Sequence, residues 1–95
     1  MHTIYKYELR AGSNTIPLPK EAVPLTVRFQ DVKAQMWVLL DPEEPHVNRT
    51  FTIYGTGHPV AHDPDWMVYL GTIETESFGL IFHAFEEIEP EYADA

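Results

Sequence analysis

In the segment IYGTGHP (residues 53–59), two glycines bracket a threonine and lead into a histidine and a proline. Gly55 and Gly57 tolerate positive φ and close backbone approach, so the amides of Gly55, Thr56 and Gly57 can converge on an anion as a nest. Thr56 contributes a hydroxyl and His58 an imidazole donor, while Tyr54 shares its strand face with Thr52 and Thr50. A nucleotide needs such donors for its phosphates and aromatic faces for its bases. Arg28 and Arg49 are the candidate cations, and Trp37 and Trp66 the candidate stacking surfaces. Trp66 directly follows a polar loop, whereas the default for the other aromatics is packing on a pleated surface. The competing reading is a glycine-rich turn that leads Pro59 out of a sheet. GTG alone lacks the lysine and helix of a P-loop and the spacing of a dinucleotide fingerprint.

Other chemistries fit less well. His58, His62, Asp63 and Asp65 are metal-ligating types, but histidines four apart share a face only on a helix, and Pro59 and Pro64 oppose one there. Ser13 and Ser77 lie in turn-like polar settings without a nucleophile elbow. His83, in the apolar run GLIFHAFE, reads as a sheet histidine rather than a base. The sequence calls for no metal, no cofactor and no catalysis.

The elements that must position these residues are strands. TIYKYEL (3–9) alternates, with Thr3, Tyr5, Tyr7 and Leu9 on one face. AGSN (11–14) is turn chemistry, and TIPLP (15–19) is extended but broken by prolines, which suits a sheet edge. PLTVRFQ (24–30) alternates; DVK is a reverse turn; AQMWVLLD (34–41), apolar on both faces, predicts a central strand. PEEPHVN (42–48) is a polar loop, RTFTIYG (49–55) a further strand and HPVAHDPD (58–65) a second loop. WMVYLGTIE (66–74) and FGLIFHAFEE (78–87) form a hairpin. No stretch keeps a helical period. The expectation is an all-β fold, a small antiparallel sandwich or partly open barrel of six to seven short strands, in one domain over residues 1–88 with an acidic tail at 89–95.

Composition limits the partners. The chain has 95 residues and a formal charge of −9. Residues 1–33 carry five bases against three acids, a net of +2, whereas residues 34–95 carry Arg49 alone against twelve acids, a net of −11. A duplex backbone is repelled by that balance, while a few basic groups can still surround a small anion. No segment approaches the roughly 18 apolar residues of a membrane span. With no cysteine, disulfides and thiolate metal sites are excluded. A soluble, cytosolic protein is expected. So small a core gains from covering an edge or face with another copy, so a dimer or tetramer is expected too.

The blocks TIYKYEL, MWVLLDPEE…RTFTIYGTGHP and YLGTIE…GLIFHAFE, in that order, resemble a family of small phage-encoded proteins of unknown function. RTFTIYGTGHP is the most specific of them, because strand alternation does not dictate its ending. The resemblance implies a phage or prophage source, a host-cytoplasmic location and an all-β fold. A looser similarity of size and source, to phage immune-evasion sponges, implies non-catalytic sequestration of a cyclic nucleotide signal of host defence. The alternative is an acidic interaction or structural protein that docks on a host factor.

Overall fold

Alternating residues build seven strands that pack as two antiparallel sheets. The computed structural model describes residues 1–76 and 79–89, which contain β1 (Thr3–Leu9), β2 (Gly12–Pro19), β3 (Val23–Gln30), β4 (Lys33–Leu40), β5 (His46–Gly55), β6 (Met67–Glu74) and β7 (Ile81–Glu87). The first sheet has the order β1-β4-β3 and the second β2-β5-β7-β6. The two stay separate, so the molecule is a sandwich and not a closed barrel. The described residues contain no α-helix, only a short 3₁₀ turn at Pro64–Trp66. None is therefore long and apolar enough to cross a membrane.

The inward set follows the period of two. Tyr7 and Leu9, Val27 and Phe29, and Met36, Val38 and Leu40 face Leu18, Phe51, Ile53, Ile73 and Ala84. Phe51, Leu18, Met36, Leu40, Ile73 and Val38 are the largest fully buried side chains. Each contributes about 1.5–3 kcal/mol of transfer free energy. A Cβ at Gly71 would come within 2.8 Å of Val27 Cγ2, so β6 lies hard against β3 where the two sheets meet.

β4 is central in its sheet, as its two apolar faces predict, but only one face is covered by the second sheet. Trp37 and Leu39 lie on the other, outer face and are half-buried. The proline-bearing β2 is an edge strand, as expected. Two loops are shorter than the sequence suggests. Gly12–Asn14 already belong to β2, because the Asn14 side chain closes the turn itself: its Oδ1 accepts from the Arg10 amide at 2.8 Å and its Nδ2 donates to the Arg10 carbonyl at 2.8 Å. Likewise His46–Asn48 belong to β5, since His46, Val47 and Asn48 find partners in Pro19, Leu18 and Pro17.

The DVK turn is a two-residue hairpin loop with both central residues left-handed, Asp31 at φ 54° and Val32 at φ 57°. β6 and β7 pair as the expected hairpin. β7 starts later than the sequence suggests, at Ile81, since Gly79 and Leu80 belong to the turn; residue 78 and the proposed tail from residue 90 lie outside the described residues. β5 and β6 are both antiparallel to β7, so they run parallel to one another, and residues 56–66 return past β7 between them.

Candidate functional site

The nine residues singled out by chemistry fall at four places. Tyr54 to His58 end β5 and turn away from the second sheet. The turn is hydrogen-bonded, His58 N–H donating to the Gly55 carbonyl at 3.1 Å, and Gly57 occupies its third position at φ 87°, where a side chain would be strained. The His58 ring folds over Gly55 so closely that a Cβ there would lie 2.9 Å from it. Of the three amides expected to form a nest, that of Thr56 donates to the Ile81 carbonyl at 3.2 Å.

The Thr56 hydroxyl also serves the sheet. It donates to the Ile81 carbonyl at 3.2 Å and lies 2.7 Å from His83 Nε2. With its hydrogen directed at a carbonyl, Thr56 accepts from His83, which sets the Nε2–H tautomer. His83 Nδ1 then accepts from Thr72 at 3.2 Å, and Tyr69 donates to Thr72 at 2.6 Å. One directional chain thus crosses β5, β7 and β6. A cleft of about 550 Å³ adjoins the turn, lined by Gly55, Thr56, His58 and residues 79–82, with no Lys or Arg among its walls.

Tyr54 points to the outer face, where its hydroxyl donates to Glu87 Oε2. Glu87 Oε1 accepts from Thr52 at 2.9 Å and lies 3.9 Å from His62 Nδ1. Burial first, then the hydrogen bond to Glu87 and its negative charge, push the Tyr54 phenol up to about 12. A phenol that stays protonated beside a carboxylate is a donor already engaged, and the surroundings are anionic.

Arg49 faces inward between the sheets. Its Nε and Nη2 each donate to a Glu86 oxygen at 2.7 Å, Nη1 donates to the Ala22 carbonyl at 2.6 Å, and the guanidinium covers the Phe51 ring at 5.8 Å. All three guanidinium nitrogens are engaged within the fold. Trp66 ends the 3₁₀ turn capped by Asp63, and its carbonyl accepts from the Ile88 amide at 2.8 Å. It directly precedes β6 of the second sheet, far in topology from the other tryptophan.

Trp37 and Arg28 are the pair that the structure brings together. On the outer face of the first sheet, the Arg28 Cζ lies 5.6 Å from the Trp37 ring centroid and Lys6 Nζ lies 5.9 Å from it. Lys6 comes from β1, directly opposite Trp37 in the β1–β4 register; Arg28 comes from β3, opposite Gln35, two residues along. Lys6 Nζ also donates to Gln30 Oε1 at 3.1 Å, a bridge from β1 to β3 that covers Gln35. Among the described residues Arg28 has no ion pair. Ile4 and Val23, both about half exposed, extend the face beyond Leu39.

Charge separates the two sheets. The strands of the first carry Lys6, Arg28 and Lys33 against Glu8, a net of +2; those of the second carry Arg49 against Glu74, Glu86 and Glu87, a net of −2. Lys6 is the functional candidate that periodicity alone hides, since alternation reads it as a solvated position and only the pairing of β1 with β4 sets it beside Trp37. No group of three or more His, Asp or Glu side chains among the described residues is placed to hold a metal ion.

No curated protein and no solved structure matches the chain. A family model described as a domain of unknown function, DUF7352, matches residues 1–94, and the chain belongs to that family.

Proposed function

We propose that the protein is a non-catalytic binding module for a small anionic nucleotide, and that its biological ligand is a cyclic nucleotide second messenger which it sequesters. The observation that carries this reading is Trp37, flanked by Lys6 and Arg28, on the uncovered face of the first sheet. An indole offers a base a stacking surface worth about 1–3 kcal/mol. Lys6 and Arg28 lie over the ring and must swing aside for a base to stack; reaching it from the strands on either side, they suit more than one phosphate. Among the described residues, the guanidinium fork of Arg28 has no carboxylate to displace. The net of −2 on the second sheet's strands orients an approaching anion toward the first.

The looser similarity of size and source to phage immune-evasion sponges supports a role in evading host defence. The turn itself supports the fold rather than the ligand, given the engagement of Thr56. The test is to mix the purified protein with a panel of cyclic di- and trinucleotides, recover it by gel filtration, and analyse what heat denaturation releases. Retention and intact release of one member is the expected result. Chemical alteration of the released nucleotide, or retention of none, contradicts the proposal. The second outcome favours docking of the acidic surface on a protein.

A further inference from the structure

The β3–β4 hairpin tip holds a residue that the turn does not favour. Two left-handed positions call for glycine, asparagine or aspartate, yet the second is Val32, β-branched at φ 57° and 84% exposed. Such an outlier, with no packing to offset it, points to a role for the side chain.

Beside Val32 the two sheets part to leave a cleft of about 220 Å³, lined by Leu9, Phe29, Ala34, Ile53, Ile73 and Phe82. Leu9, Ile53 and Ile73 are otherwise core residues, at most 5% exposed. The space is sufficient for one aromatic ring or branched alkyl group. Glu8 and Lys33 stand at its rim with Val32. Glu8 is shared between Lys33 at 3.5 Å and Arg10, which lies outside the cleft, at 3.9 Å, so these three groups together carry one cation in surplus. All three side chains are well exposed, and such pairs exchange partners at little cost.

We infer that this cleft is a second binding site, for a small carboxylic acid bearing one aromatic ring or a branched alkyl group. The apolar end enters beside Phe29, Ala34 and Phe82, over the packed Leu9, Ile53 and Ile73, Val32 closes over it, and the carboxylate pairs with Lys33. The site is separate from the Trp37 face and does not depend on the nucleotide reading.

Phenylacetate is the probe, titrated into the ¹⁵N-labelled full chain and followed by amide NMR shifts, with phenethylamine as the oppositely charged control. Saturable shifts at Leu9, Ala34, Ile53 and Ile73, with a dissociation constant on the order of millimolar, are expected for a ligand of this size. Phenethylamine binds more weakly. Lys33→Ala weakens phenylacetate roughly 2- to 5-fold, as loss of an exposed ion pair should. Val32→Gly relieves the backbone, so it raises the melting temperature while weakening phenylacetate. Shifts that do not saturate, shifts centred on Lys6 and Trp37, equal binding of the amine, or a Val32→Gly protein that binds phenylacetate like the parent would overturn the inference.

Discussion

At the scale of single residues, a group's partners decide whether it is available for a ligand. Thr56 holds β5 to β7 through Ile81 and His83. Thr56→Ala should therefore lower stability by about 1 kcal/mol, a drop of roughly 4–8 °C in the thermal midpoint for a chain of this size. Nucleotide affinity should not change. Arg49 is the stronger case, since Glu86→Ala leaves a largely buried guanidinium without its carboxylate and should cost about 3–5 kcal/mol in urea denaturation. Replacing both members, as in Arg49→Met with Glu86→Leu, should recover much of that loss. The identities of these residues are legible in the sequence, but their availability is not. The partner of Arg49 lies 37 positions away, and no local pattern reveals it.

Tyr54 gives the residue scale its pH dependence. Its phenol is held protonated up to about 12 in the folded chain, above the ordinary value of 10.0. Between those two values the folded state retains a proton that the unfolded state has released. Stability accordingly falls as pH rises through that window, and the contribution is intact below pH 10. Tyr7, raised by burial and then by Tyr5, acts in the same direction. In alkaline unfolding curves, Tyr54→Phe should make the fall shallower without abolishing it. An unchanged slope would remove the Tyr54–Glu87 contact from the account.

At the scale of elements, the strands were readable because apolar residues recur every second position, most clearly in β1, β3 and β5. β2 and β5 extend beyond the stretches their sequences suggest because each supplies the other's hydrogen-bonding partners over residues 12–19 and 46–53, whereas β7 begins late, at Ile81. That pairing is non-local, so propensity favours a turn at AGSN and a loop at PEEPHVN. The same limit applies to the candidate site. Trp37 and Arg28 were recognisable as types, but only the registers of β1, β4 and β3 place them together with Lys6. Gly55→Val drives a side chain into the His58 ring, so it should displace the turn and lower the melting temperature more than Thr56→Ala, again without loss of nucleotide affinity at temperatures where the protein is folded.

At the scale of the whole molecule, the chain's uneven charge becomes a difference between two sheets, and its less acidic sheet has the open face. Ile4 and Val23 leave apolar surface exposed around the Trp37 platform, which a second copy would cover, and light scattering at micromolar concentration should find a dimer or tetramer. The central claim is that a nucleotide stacks on Trp37, and the most direct measurement is calorimetric titration of the retained cyclic nucleotide into the parent, Trp37→Leu and Arg28→Ala proteins, with melting temperatures recorded alongside. The account predicts a loss of roughly 5- to 150-fold for Trp37→Leu, the equivalent of one stacked base, with a smaller loss for Arg28→Ala that shrinks in high salt. Parental affinity in the folded Trp37→Leu protein would contradict it.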